Sequence, residues 1–279
     1  MFWMVRIVLS ATVGFIGAGN MADALIRGIV GRGILPRERI WATNRSNRPR
    51  LLGLKERYGI LTTPVKPPLL DASDVLIVAV KPKDMPEVLA EIHGAVRVDQ
   101  LVISVAAGVP LKAIESSLSG VPVVRAMPNT SAAVQASVTA LASGRSATDD
   151  HLRVSTELFR AVGEVLTVPE DIMDVVTALS GSGPAYVYRF IEALIAAGTE
   201  MGLTEHLAKQ LAVHTLIGAA RMLSEPDADS VELRRRVTSP GGTTQAGLTA
   251  LEERGFASAV KEAVRRAAER AAELAEENS

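Results

Sequence analysis

The sequence predicts an α/β domain with a mostly parallel sheet, followed by an all-helical domain. Three observations lead to this fold class: short apolar runs alternate with helical patterns in the first part, strand patterns stop after about Pro169, and a glycine-rich turn follows the first strand. Apolar strands that alternate with helices are typical of a parallel sheet covered on both faces. We therefore expect two domains, residues 1–168 and residues 169–279.

The predicted strands of the first domain are short apolar runs bounded by turn residues. They cover Val13–Gly17, Arg39–Thr43, Gly59–Thr62, Val75–Val80, Leu101–Val105 and Pro122–Ala126. The predicted helices between them include Met21–Arg32, Pro86–His93 and Leu111–Leu118. Two further runs, Val134–Ala142 and Gly163–Val168, would extend the sheet at its edge, on either side of a helix that Thr148 or Asp149 could cap.

The second domain contains helical patterns only. They cover Asp171–Leu179, Pro184–Met201, Glu205–Leu223, Gln245–Arg254 and Phe256–Glu277. Several of these helices are apolar around much of their circumference, so they must be buried against other surfaces. Because this lobe is small for so many buried faces, a dimer with two interlocked lobes is the simplest expectation. A monomer with a compact helical lobe is the alternative.

The composition excludes several classes of protein. Lys and Arg (30) nearly balance Asp and Glu (31), which argues against a nucleic-acid binder with a basic face. The chain has no cysteine, so thiolate chemistry is excluded and a cytoplasmic location is compatible. The start, Met1–Ala11, is mildly apolar, but Arg6 interrupts it and it runs directly into the first strand, which disfavours an export signal. No apolar stretch is long enough to span a membrane.

A glycine-rich turn follows the first predicted strand and opens the first helix. Its residues, Gly17-Ala18-Gly19-Asn20-Met21-Ala22, match the G-x-G-x-x-A fingerprint of dinucleotide-binding domains, in which the helix N-terminus faces a diphosphate. The strand before it, the helix after it and the surrounding βαβ unit are the context that this motif requires. The first domain is therefore predicted to be a Rossmann-type domain that binds a dinucleotide.

The end of the second strand indicates which dinucleotide binds. NAD sites usually place Asp or Glu there to accept from the ribose 2′-hydroxyl, whereas this chain has Asn44-Arg45-Ser46. A cation and two uncharged polar groups favour the 2′-phosphate of NADP. NAD remains the second candidate, and an Arg45 that is merely a solvated loop residue is the alternative.

Two further strand ends should lie along the cofactor, since ligands of open α/β sheets bind beyond the carboxyl ends of the strands. Ala79-Val80-Lys81-Pro82 ends one strand, and Val105-Ala106-Ala107 ends the next, where small residues leave room for a flat ring. Lys81 is expected to position the cofactor rather than donate a proton. The four histidines show no metal-ligand spacing, so no metal is expected.

An unusual turn lies in the helical domain, at Ser239-Pro240-Gly241-Gly242-Thr243-Thr244. It contains no acid, base or thiol, but it offers hydroxyls and backbone N–H groups at the mouth of a helix. Glycines let such donors approach an anion closely, and the helix N-terminus favours negative charge. The turn is therefore a candidate site for the carboxylate of a small substrate.

These motifs together closely resemble the pyrroline-5-carboxylate reductase family. The resemblance covers nearly the whole chain after residue 12. It is carried by GFIGAGNMA from residue 14, AVKP from 79, RAMPNT from 125, LSGSGPAY from 179 and VTSPGGTT from 237, of which the last two are specific to the family.

The resemblance implies reduction of 1-pyrroline-5-carboxylate to L-proline, the last step of proline biosynthesis, with NADPH or NADH. It also implies a cofactor domain, a helical dimerisation domain and an active site shared between subunits of a homodimer or a larger oligomer, such as a pentamer of dimers. The implied cofactor residues are Ile16, Gly17, Ala18, Gly19, Asn20, Met21, Asn44, Arg45, Ser46, Ala79, Val80, Lys81, Pro82, Val105, Ala106 and Ala107. The implied substrate residues are Ser239, Gly242, Thr243 and Thr244, with Thr244 bonded to the ring nitrogen and Glu170 nearby.

Of three departures from the family pattern, at Val65-Lys66, at Ser131 and at Gln135-Ala136-Ser137, the first concerns the cofactor site, and two rival functions remain. Val65-Lys66 stands where the family usually has an Asn that contacts the cofactor ribose. A β-hydroxyacid dehydrogenase would share the two-lobe plan but needs a Lys on the long helix after the glycine turn, and residues 185–200 contain none. A non-catalytic NADP-sensing protein would not need the complete turn at residues 239–244.

Overall fold

The computed structural model of the protein describes residues 11–277. The segment considered as an export signal, residues 1–11, therefore lies outside the described residues except for its last one. The chain forms two compact units. The first runs to Ser182 and includes the end of the last helix from Arg266, and the second is Gly183–Arg265. The division into functional domains at residue 169 stays a prediction.

The first unit is built on one sheet of eight strands. The strands are β1 (Val13–Ile16), β2 (Ile40–Thr43), β3 (Leu61–Thr63), β4 (Val75–Val78), β5 (Leu101–Ser104), β6 (Val123–Met127), β7 (Ser137–Ser143) and β8 (Gly163–Thr167). Their order is β3-β2-β1-β4-β5-β6-β7-β8. Every neighbouring pair is parallel except β6 and β7, which are antiparallel. The predicted fold class is confirmed, including the extension of the sheet by the last two strands.

Helices cover both faces of this sheet. They are α1 (Asn20–Gly31), α2 (Arg48–Tyr58), α3 (Pro67–Ala72), α4 (Met85–Ile92), α5 (Leu111–Ser117), α6 (Asp149–Phe159) and α7 (Met173–Val176). Alternate residues of one strand enter different hydrophobic clusters: Phe15 of β1 belongs to one and Ile16 to the other. All four residues of β1, β4 and β5 are buried, because strands between two helical layers have no solvated face.

Two predicted elements need correction. The strand expected over Val134–Ala142 begins only at Ser137, since residues 130–134 form a 3₁₀ turn that ends at Gln135 with a left-handed φ of 58°. The helix expected over Asp171–Leu179 is not one α-helix. A 3₁₀ turn precedes α7, and residues 177–181 form a π-helical turn closed by the bond from Ser182 N–H to the Thr177 carbonyl (2.9 Å).

The second unit is helical, as predicted. Its helices are α8 (Gly183–Glu200), α9 (Glu205–Leu223), α10 (Ser230–Arg236), α11 (Thr243–Glu253) and the first part of α12 (Phe256–Glu277). Side chains cap two of them: Thr204 Oγ1 accepts from Leu207 N–H (3.3 Å) and Asp229 Oδ1 from Glu232 N–H (2.7 Å). No described helix of either unit is both long and apolar enough to cross a membrane.

Candidate active site

The glycine turn between β1 and α1 is fixed by its neighbours in the sheet. Gly17 N–H donates to the Thr43 carbonyl (3.0 Å), and Ala79 N–H donates to the Ile16 carbonyl (2.8 Å). Gly17 has φ +106°, and a Cβ built there would lie 2.4 Å from the Ala79 carbonyl oxygen. Only glycine fits this position without strain. Gly19 precedes α1 with no side-chain cap, so the first N–H groups of the helix are free for a ligand.

A charged cluster braces the same turn from α2. Arg50 donates to the Ala18 carbonyl (Nε, 3.0 Å) and to Asp23 on α1 (Nη2, 2.8 Å). Tyr58 Oη and Arg57 Nη2 also donate to Asp23, at 2.7 and 3.0 Å. Burial by itself raises the pKa of the Asp23 carboxyl, but these hydrogen bonds and the two arginine charges outweigh it and hold the pKa below its usual value. The cluster keeps the turn and α1 in one arrangement.

The loop after β2 is shaped by Asn44. Its side-chain oxygen accepts from Ser46 N–H (3.2 Å) and Asn47 N–H (2.8 Å), and Asn47 in turn caps α2. This turn directs Arg45 across the carboxyl ends of the strands, where its guanidinium pairs with Glu87 of α4. Arg45 was expected to favour a 2′-phosphate, and in the structure its guanidinium has a carboxylate partner, which sequence analysis did not predict.

A cleft of about 400 Å³ lies beyond the carboxyl ends of β1, β2 and β4. Of the predicted cofactor residues, it brings together Ile16, Gly17, Asn44, Arg45, Ser46 and Val80. It is also lined by Val65 and Lys66, at the position where the sequence departs from the family pattern, and by carboxylates of α4 that sequence analysis missed. The other predicted cofactor residues lie outside this cleft, on the adjoining strand ends and the start of α1.

The strand ends next to the cleft have the small residues that were predicted. Ala79-Val80-Lys81 follows β4 and leads into a 3₁₀ turn, with Lys81 exposed. Val105 N–H donates to the Val78 carbonyl (3.1 Å), which places Val105–Ala107 beside the end of β4. Ala106 itself is buried, and its N–H donates to the hydroxyl oxygen of Ser104 (3.3 Å).

Arg125 is a buried cation that pairs with the partly exposed Glu170 in the first unit. Arg125, within the apolar strand β6, is 4% exposed, and its Nη1 lies 3.3 Å from Glu170 Oε1. The same oxygen accepts from Leu111 N–H (2.6 Å) at the start of α5. Asp174 Oδ1 lies 3.7 Å from Arg125 Nη2, and neither atom has a hydrogen-bond partner among the described residues. Glu170 therefore anchors α5 and neutralises a buried charge.

The turn at residues 239–244 lies in the second unit and has the predicted form. Gly242 N–H donates to the Ser239 carbonyl (3.0 Å), and Gly241, with φ +71°, donates to Gln245 Oε1 (2.6 Å). Gly242 precedes α11 without a side-chain cap. The first N–H groups of α11 therefore lack an acceptor within the helix, which is the arrangement that binds an anion. Ser239, Gly242, Thr243 and Thr244 are thus brought into one turn.

The residues of the first unit fit a dinucleotide. Among the described residues, a Cβ at Gly19 would have only the Ala79 carbonyl oxygen near it, at 4.0 Å, so the space in front of α1 is open to a ligand. The uncapped N–H groups of α1 suit a diphosphate, and polar, cationic and acidic side chains line the adjoining cleft. The second unit offers uncharged donors at a helix mouth. The first unit can therefore hold a redox cofactor and the second a small carboxylate, which are the two kinds of ligand that a hydride-transfer enzyme binds.

Two families of known sequences match parts of this chain. Residues 170–274 match the family described as pyrroline-5-carboxylate reductase dimerisation. Residues 12–108 match the family described as NADP oxidoreductase, coenzyme F420-dependent. The chain therefore carries a cofactor region of the NADP type and a dimerisation region.

Relatives match over nearly the whole chain. Pyrroline-5-carboxylate reductase 1 of Bacillus subtilis is 42% identical over 95% of this chain and 90% of its own length. The solved pyrroline-5-carboxylate reductase of Coxiella burnetii is 38% identical, covers 95% of this chain and 98% of its own, and has a TM-score of 0.89. The Plasmodium falciparum pyrroline carboxylate reductase, solved with NADP bound, is 30% identical over 96% of this chain and 99% of its own, with a TM-score of 0.86. The chain therefore belongs to the pyrroline-5-carboxylate reductase family of NADP-dependent oxidoreductases.

Proposed function

We propose that this enzyme reduces 1-pyrroline-5-carboxylate to L-proline, with NADPH as its principal reductant, and that the turn at residues 239–244 binds the substrate carboxylate. NADPH supplies a hydride to the imine carbon, and the electron pair of the C=N bond goes to nitrogen. Two protons are consumed overall, one on the imine nitrogen before reduction and one on the amine afterwards. The observation that carries the proposal is the uncapped turn before α11, which has donors for an anion and no titratable group.

The absence of an acid from that turn agrees with this chemistry. A protonated imine already carries the positive charge that makes its carbon accept hydride, so the enzyme has to orient the ring rather than activate it. We assign the carboxylate to Ser239, Gly242 and Thr243, and the ring nitrogen to the hydroxyl of Thr244. In a desolvated site, the negative charge of the carboxylate and the positive charge of the neighbouring iminium compensate each other.

The geometry of the first unit supports the proposed cofactor contacts. We assign the diphosphate to the N–H groups of the turn that spans Ile16–Met21, where α1 begins without a side-chain cap. The adenosine end goes to the cleft beside Asn44–Ser46, and the nicotinamide to the strand ends at Ala79–Pro82 and Val105–Ala107. Lys81 is assigned to positioning the cofactor, because it is exposed on the turn after β4.

Glu170 was predicted to lie near the substrate, and that placement stays a prediction. Its carboxylate is engaged by Arg125 and by the Leu111 N–H, so one oxygen already serves the first unit. We therefore propose that Glu170 acts by fixing the start of α5 and not as a proton donor.

The two rival functions are less well supported. A β-hydroxyacid dehydrogenase must remove an alcohol proton, and the corresponding stretch of α8 contains no lysine. A non-catalytic NADP sensor would have no use for donors gathered at the mouth of α11.

The proposed working form is a dimer in which the helical units of two subunits interlock. Within the second unit of the single chain, the described residues that are buried are only Ala208 and Ala212. Large apolar side chains such as Tyr188, Phe190 and Leu194 on α8 are exposed. An apolar surface of this kind marks an interface between proteins. The proposal also includes a larger oligomer, a pentamer of such dimers, and a cytoplasmic location for the enzyme.

Initial rates of NADPH oxidation test the function. Oxidation should require added 1-pyrroline-5-carboxylate, and in the opposite direction NADP⁺ should not be reduced by hydroxyisobutyrate-type substrates, which a β-hydroxyacid dehydrogenase would oxidise. Thr244→Ala should lower kcat/KM by about 10- to 100-fold, since a lost hydrogen bond to a charged group costs about 1.5–3 kcal/mol. Thr249→Ala, an exposed threonine on the same helix, is the control and should leave both rate and melting temperature unchanged. Binding of NADPH without turnover of the imine would favour the sensor instead.

A further inference from the structure

The adenosine end of the cleft contains more negative than positive side chains. Arg45 and Lys66 are its cations, while Asp84, Glu87 and Glu91 are its carboxylates. The three acids are spaced by three and four residues, so they project from one side of the 3₁₀ turn and helix α4. Sequence analysis predicted that this site favours a phosphate because of Arg45. The structure adds an acidic wall, formed by Asp84, Glu87 and Glu91.

Each cation of the cleft is held by an acid from that wall. Arg45 pairs with Glu87 and Lys66 pairs with Glu91. The side chains of Arg45 and Glu87 are 62% and 52% exposed, so water competes with this pair and it is weak. A 2′-phosphate can therefore draw Arg45 away, but Glu87 is then left without its partner, beside a group that carries about −1.5 to −2 charges.

NADH can interact with these carboxylates in a more favourable way than NADPH. Its adenosine ribose has a 2′-hydroxyl, which can donate a hydrogen bond to a carboxylate. Asp or Glu residues normally perform this role at the end of the second strand, where this chain has Asn44-Arg45-Ser46. Glu87 reaches the same region from α4, through its contact with Arg45.

We propose that Glu87 sets the cofactor preference of this enzyme: by holding Arg45 it lowers the affinity for the 2′-phosphate and allows NADH to be used as well. This inference rests on the proposed function and specifies which cofactor its site accepts. Glu87 is thus a specificity-determining residue that acts through Arg45 and takes no part in hydride transfer.

Binding of cofactor fragments tests this without any turnover. The probes are 2′,5′-ADP and 5′-AMP, which differ in the 2′-phosphate and lack the nicotinamide, measured by titration calorimetry on the full chain. Glu87→Gln should raise the preference for 2′,5′-ADP over 5′-AMP by about three- to tenfold, because it removes one charge next to the phosphate and releases Arg45. The affinity for 5′-AMP should change by less than about twofold, since that probe has no 2′-phosphate to be repelled and the amide oxygen of glutamine can still accept a hydrogen bond from its 2′-hydroxyl.

A matched control and a double variant complete the test. Glu157→Gln removes the same charge from another exposed ion pair, the one with Arg160 on α6, and should leave the preference unchanged. In the Arg45→Ala background, Glu87→Gln should lose the part of its effect that comes from releasing Arg45 and keep only the smaller direct effect of the removed charge. An unchanged preference in Glu87→Gln would overturn the proposal, as would a full effect without Arg45. Either result would leave imine-dependent NADPH oxidation, and with it the proposed function, intact.

Discussion

The two glycines of the fingerprint turn should respond differently to the same substitution. Gly17→Ala places a Cβ 2.4 Å from the Ala79 carbonyl oxygen, at a backbone φ of +106°. Gly19→Ala places one 4.0 Å from the same oxygen, at φ −72° and ψ −174°, which any residue adopts. The first change opposes the packing of the turn against β4, whereas the second only fills space in front of α1.

The magnitude follows from this geometry. To reach even 3.0 Å, the shortest separation that such an atom tolerates, the Gly17→Ala backbone must move by about 0.6 Å against a fully buried strand. Overpacking of this kind costs about 1–3 kcal/mol and the unfavourable φ about 1–3 kcal/mol more. We expect Gly17→Ala to lower the free energy of unfolding by about 2–6 kcal/mol, and Gly19→Ala to change it by less than about 1 kcal/mol.

Urea unfolding and NADPH titration separate the two effects. Gly17→Ala should lose both stability and NADPH affinity. Gly19→Ala should keep its stability but bind NADPH at least about tenfold more weakly, because its Cβ obstructs the approach of the diphosphate to the helix N-terminus. Wild-type stability in Gly17→Ala, or equal stability losses in both variants, would refute the assignment of this turn.

Two charged groups give further predictions. Arg125→Leu should cost about 2–4 kcal/mol in urea unfolding, because it leaves two carboxylates, 32% and 30% exposed, without their cation. Arg153→Leu, from an exposed ion pair, should cost less than about 1 kcal/mol. Equal losses in the two variants would contradict the role of Arg125 as a buried cation. Asp23→Asn should cost about 1–3 kcal/mol at pH 7. Because the pKa of Asp23 is lower in the folded than in the unfolded state, this contribution is present above the unfolded value of about 3.9 and is lost as the pH falls through the folded value. The difference between Asp23→Asn and wild type should therefore narrow when urea unfolding is repeated at pH 3, and a difference that stays constant would contradict this origin.

The central strands could be predicted because their signal is local and strong. A four-residue strand buried on both faces, such as Val75–Val78, has to be an apolar run in the sequence. Helix α2 has no comparable signal, since only Leu51 and Leu54 of its eleven residues are buried, and it was not predicted. The hydroxyls of Thr177 and Ser180 bond to carbonyls one turn earlier, and the glycines around them weaken a regular helix. The segment predicted as one helix, Asp171–Leu179, therefore passes from a 3₁₀ turn through a short α-helix to a π-helical turn.

The site was predictable to the extent that its parts lie close together in sequence. The turns at Gly17 and Ser239 are each made by neighbouring residues, so their form could be expected from the residue types alone. The partner of Arg45 lies 42 residues away and that of Arg125 lies 45 residues away. Such pairings depend on the packing of the sheet. A charged residue within the apolar run of β6 was nevertheless a signal that Arg125 needs a buried partner.

The central claim is that uncharged donors before α11 recognise the carboxylate of a cyclic imine. Its most direct test compares initial rates of NADPH oxidation with 1-pyrroline-5-carboxylate and with 1-pyrroline, the same ring without the carboxylate. Two charge-assisted hydrogen bonds are worth about 3–6 kcal/mol, so kcat/KM should be about 10²–10⁴ lower for 1-pyrroline. In Thr244→Ala the rate with either ring should fall. Equal kcat/KM values for the two rings in the wild-type enzyme would contradict the account.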